Sequence, residues 1–164
     1  MNRGQNMRNR KLILNAAEGL VLVGLIIFII SMLSSGSSKN LPITQIQTEM
    51  LQQEGMADLV QKDDSAVNSA FGIIPSEYIY YKTDDIMDVR ELFLAKAADD
   101  DEMEEIENAV SDHLNTQIDN FTGYGTNQID LLEHAVSQKK GDYYFFAVGE
   151  NAEQWQEAFL KLVG

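Results

Sequence analysis

Hydrophobic and polar positions divide this chain into one long apolar run and a series of shorter patterned segments. Leu12 to Leu33 is almost wholly apolar, and Gly19 to Leu33 carries no charge. As a helix rising about 1.5 Å per residue the run spans roughly 33 Å, enough for the hydrocarbon core of a bilayer. Beyond it, the spacing predicts a helix opening at Thr44, with Ile46, Met50 and Leu51 on one face. Thr44 and Gln47 are placed as a capping box, and Gly55 marks the stop. A second short helix fits Asp63 to Phe71, with acids at its start and Gly72 just past its end.

The period then shortens. Tyr78 to Tyr81 and Glu91 to Ala97 read as strands, the second apolar on both faces at its centre. Asp142 to Gly149 reads as another, with Tyr143, Phe145 and Ala147 on one face and Tyr144, Phe146 and Val148 on the other. Lys139-Lys140-Gly141 suits a hairpin turn, which makes Glu133 to Gln138 the expected partner strand. Asp100 to Phe121 sets Met103, Ile106, Val110, Leu114, Ile118 and Phe121 at spacings of three and four, an amphipathic helix. Asn151 to Val163 repeats that spacing with Ala152, Trp155, Phe159 and Leu162, and Asn151 and Gln154 are placed to cap it. The order predicts an α+β domain: a mainly antiparallel sheet of about four strands with the helices packed on one face.

Charge gives the apolar run a direction. Arg3, Arg8, Arg10 and Lys11 precede it and only Lys39 follows closely. The basic flank is expected to stay in the cytoplasm. The expected division is a basic cytoplasmic segment 1–11, an uncleaved transmembrane signal anchor 12–33, a Ser/Gly linker 34–42 and an extracytoplasmic domain 43–164. The protein is then a single-pass protein of the cell membrane. A cleaved signal peptide, with a weak site at Ser34-Ser35-Gly36, and a buried soluble helix are the competing readings. The absence of cysteine excludes a lipoprotein. Glu18 near the cytoplasmic end can reach headgroups and water, although pilin-like subunits also keep a glutamate there. The glycine-phenylalanine processing motif of such subunits is missing.

From Lys39 onward, 8 lysines and arginines stand against 25 acids, a formal charge of −17. Phosphate backbones repel such a surface, so nucleic acid is not an expected partner. The densest acidic cluster begins Asp99-Asp100-Asp101-Glu102 and continues through Glu104, Glu105 and Glu107. It lacks the central glycine of a calcium loop, and acids at a helix start cap free amides. It is a weak candidate cation site beside a capping role. With two histidines and no cysteine there is no zinc set, and no serine sits in a nucleophile motif. No cofactor is expected. Core packing is the simpler reading of the tyrosine-rich strands; the competing one is that alternation directs some rings outward, with Tyr80 and Tyr144 the candidate exposed contacts for a protein partner or a second copy.

Phe71-Gly72-Ile73, the strand from Glu91 to Ala97, the acidic helix ending near Gly123-Tyr124, and Gly141-Asp142-Tyr143 before a terminal helix resemble the family called domain of unknown function 4358. The likeness extends over about Ile43 to Gly164. It implies a small bacterial domain carried behind a lipoprotein signal or a single transmembrane segment, with no established activity and no catalytic residues to transfer. Where many members have a lipid-accepting cysteine, this chain has the apolar run. The expected function is a non-enzymatic interaction module of the cell envelope. The alternatives are an extracytoplasmic enzyme or cation-dependent binder using the acidic helix start, and a pilin-like or secretion-linked subunit.

Overall fold

The computed structural model describes residues 38–123 and 126–164, so the expected anchor at Leu12 to Leu33 lies outside the described residues. No helix among the described residues is long and apolar enough to cross a membrane. In chain order the elements are α1 (Ile43–Met50), a 3-10 turn (Met56–Asp58), β1 (Val60–Gln61), α2 (Asp64–Phe71), β2 (Glu77–Lys82) and β3 (Glu91–Lys96). They continue with α3 (Asp100–Phe121), α4 (Thr126–Glu133), β4 (Val136–Lys140), β5 (Tyr143–Val148) and α5 (Ala152–Val163). The strands form one antiparallel sheet in the order β1-β2-β3-β5-β4.

Helices cover both faces of this sheet, which corrects the expectation of one. On the first face Val67, Phe71, Met103, Ile106 and Val110 of α2 and α3 bury Tyr80, Phe93, Tyr144 and Phe146. On the second, Ile46 and Met50 of α1 and Trp155 and Phe159 of α5 bury Ile79, Leu92, Leu94 and Phe145. The reason lies in the central strands. Residues 92–95 and 143–148 are buried without interruption, and a strand apolar on both sides needs a layer on each. Separation of the β5 residues between the two faces follows the predicted alternation.

Local boundaries follow local chemistry, with exceptions. Asp63 accepts from Ala66 N at 3.0 Å and Gly72 ends α2 at φ 71, as the sequence predicts. The Thr44 capping box does not form: α1 begins at Ile43 behind Pro42, without a side-chain cap. Nor does Asn151 cap α5 through its side chain. The hairpin turn is Gly141-Asp142 rather than Lys139 to Gly141. Lys140 pairs with Tyr143, Gly141 takes φ 57, and Glu133 still belongs to a helix.

The two ends of the domain meet. Lys39 N donates to Val163 O at 2.8 Å, Leu41 N donates to the Tyr143 hydroxyl at 2.8 Å, and Trp155 Nε1 donates to Glu54 O at 2.8 Å.

Candidate functional site

A carboxylate lies inside the first core. Glu91 opens β3 opposite Lys82 of β2, and its side chain shares a face with Phe93 and Ala95 rather than with solvent. It is 0% exposed. An isolated charge there would be prohibitively costly, so its partners decide its state. The Tyr80 hydroxyl donates to Oε2 at 2.7 Å, His113 Nε2 lies 2.7 Å from Oε1, and Lys82 Nζ lies 3.5 Å from Oε2. Burial pushes the Glu91 carboxyl up, but the charge and hydrogen bond of His113, with Lys82 and Tyr80, hold it below the usual glutamate range. Burial first, then the charge of Glu91 and the hydrogen bond to it, raises the Tyr80 phenol, which stays protonated as a donor.

His113 comes from α3, on the apolar stripe with Val110 and Leu114. Its Nδ1 lies 3.1 Å from Ala70 O of α2. Each ring nitrogen thus lies against an oxygen acceptor, Nε2 against the carboxylate and Nδ1 against the carbonyl. Phe71 packs against the same ring at 4.6 Å between centroids. One cluster thus ties α2, α3, β2 and β3 together.

Above the cluster, α2 and α3 part over the β1–β2 edge and leave a cleft of about 380 Å³. Lys62 and Lys82 line it from the sheet side, with Tyr80 and His113 deeper. Ser69 of α2 and Thr116, Gln117 and Asn120 of α3 complete the polar wall, and no carboxylate is among the lining residues.

Of the candidates from sequence only Tyr80 belongs to this site, and it does so as a buried group. Tyr80 is 2% exposed and Tyr144 is 4% exposed, so the expected outward rings are a correction. Tyr80 turns to Glu91, while the phenol of Tyr144 is pushed up to about 12 by burial, against a hydrogen bond with Ser137 and helped by the nearby Glu107 charge. Asp99, Asp100, Asp101 and Glu102 stand at the start of α3. Asp99 Oδ1 accepts from Glu102 N at 2.9 Å, and Glu102 accepts from Ala98 N and Ser76 N, each at 2.6 Å. Among the described residues no group of three or more histidines and acids could hold a metal ion. Asp99→Ala should cost about 1 kcal/mol in a urea melt, the usual value of a lost helix cap. A change in calcium response without a change in stability would contradict the capping role.

Sequence reasoning missed Glu91 and did not bring His113 to it. The available signals were a glutamate opening a strand apolar on both faces and a histidine on the apolar stripe of a helix.

Fold and cluster together define a three-layer α+β domain with an antiparallel sheet sealed on both faces and a lysine-lined cleft over a buried ion cluster. The family profile described as "Domain of unknown function (DUF4358)" matches residues 52–149, and the chain belongs to that family. The matched segment runs from before β1 to just past β5, leaving out α1 and α5, which cover the second face. No curated protein and no solved structure matches the chain.

Proposed function

We propose that this protein is a membrane-anchored, non-enzymatic binding module whose domain works outside the cytoplasm and uses the cleft between α2, α3 and the β1–β2 edge. One observation carries the choice of binding over catalysis: the titratable groups at the floor of the cleft are committed to each other. Both nitrogens of His113 have acceptors, the Tyr80 proton is directed at Glu91, and Glu91 receives three donors. A general base needs a free lone pair within reach of its proton, and these groups hold none towards the cleft. Lys62 and Lys82 line the cleft and supply charge that attracts a ligand. The anchor is supported by the apolar run Leu12 to Leu33 behind its basic flank.

Protease added to intact, wall-stripped cells tests the location. Digestion of the domain, leaving a short protected fragment, is the expected result. Full protection until lysis would place the domain on the other side and end the anchored reading.

A further inference from the structure

Accepting the cleft as a binding site, we propose that its ligand is a small carboxylate-bearing molecule with N–H donors, the chemistry of the carboxyl end of a short peptide.

Charge points to the anion. The residues from Lys39 onward carry a formal −17, yet the cleft wall contains two lysines, a histidine, hydroxyls and amides and no acid. Beneath it, the single carboxylate of Glu91 is already occupied by Lys82, the His113 ring and the Tyr80 hydroxyl, and does not face the cleft wall. Lys82 meets Glu91 at 3.5 Å, longer than the 2.7–2.9 Å of a tight charged hydrogen bond, and its ammonium has three donors. Lys62 is held by Asp84 at 2.6 Å, but the Asp84 side chain is 75% exposed and free to turn into water.

Hydroxyl geometry points to the N–H groups. Ser69 Oγ donates to Ser65 O at 2.8 Å, and Thr116 Oγ1 donates to Asp112 O at 2.8 Å. Each hydroxyl proton is therefore occupied, and what these oxygens offer the cleft is acceptance. Gln117 and Asn120 add amides that both donate and accept. A wall with cations at one side and acceptors at the other matches a carboxylate joined to amide N–H groups. The volume of about 380 Å³ is near the lower end for small-molecule sites and limits the ligand to a few residues' bulk.

Calorimetry on the full chain in neutral detergent tests this with N-acetyl-Ala-Ala as the free acid, its C-terminal amide, and inorganic phosphate. The acid should bind saturably, and the amide at least about tenfold more weakly, which is about 1.4 kcal/mol. Lys62→Gln, distant from the Glu91 cluster in the bonding scheme, should weaken the acid by a similar factor at an unchanged melting temperature. Asn120→Leu, at an exposed helix position, should block the cleft. Equal binding of acid and amide overturns the proposal, as does no binding of the acid by about 10 mM, above the millimolar range of a weak site. Phosphate binding more tightly than the acid also overturns it, because the site then reads charge alone. Protease protection bears only on location, so either idea can fail while the other stands.

Discussion

Replacing Glu91 with alanine is expected to lower the free energy of unfolding by about 3–5 kcal/mol at neutral pH, the range for breaking a buried ion pair from one side. The substitution leaves the His113 ring with only Ala70 O, and the Tyr80 hydroxyl without its acceptor. Urea unfolding measures it, and a loss below about 1 kcal/mol, the size of an exposed pair, would show that the cluster does not hold the first core. The sign with pH follows from the depressed carboxyl. Its stabilisation is complete above the unfolded glutamate value of about 4.3 and is lost as pH falls through the lower folded value. The gap between wild type and Glu91→Ala should therefore be full at pH 7 and close under acid. Glu91→Leu combined with His113→Leu and Tyr80→Phe should recover much of the loss, since it removes the fully buried partners and leaves only Lys82, whose side chain is 22% exposed and can turn to water.

Trp155→Ala is expected to cost a similar amount, about 3–5 kcal/mol, for a different reason: it empties the largest fully buried side chain of the second core. The ring packs with α1, the sheet and Phe159, and its N–H holds Glu54 O. Hydrogen exchange should show faster opening of α1 and α5 while α3 keeps its protection. A loss under about 1 kcal/mol, or equal loosening of α3, would contradict two separately sealed faces.

Much of the fold was legible because most elements signal locally. The 22 residues of α3 carry apolar positions every three or four, acids at the start and Asp99 as the cap, and the helix begins and ends where those signals place it. The number of layers was not read correctly although the clue was present: 92–95 and 143–148 are apolar on both sides, a pattern that demands two covers. The two residues of β1 give too short a pattern to detect, and α4, with Ile129, Leu131 and Leu132 among polar neighbours, reads as a loop until α3 is beside it. The site was less legible than the fold. Glu91, His113 and Ala70 come from three elements, 22 and 43 residues apart from His113, so no window of sequence shows them meeting. The most conspicuous acids, Asp99 to Glu102, attract attention by density, whereas the carboxylate that organises the core is a single one.

The contacts joining the ends of the domain also bear on its synthesis. Leu41 finds Tyr143 across 102 residues, and Glu54 finds Trp155 across 101. A chain that emerges amino end first therefore displays Ile43, Ile46 and Met50 while nearly the whole domain is still to come, and their cover arrives last, with α5. The first core matures earlier in the order of emergence: α2, β2, β3 and α3 are consecutive and can begin to pack before β5 completes the sheet. Closure of the second face is thus a late, long-range step, slow by its topology and exposed to mispairing until the final helix is made. A nascent chain halted before Asn151 would present a half-sealed sheet, and the terminal helix acts as the latch that ends that interval.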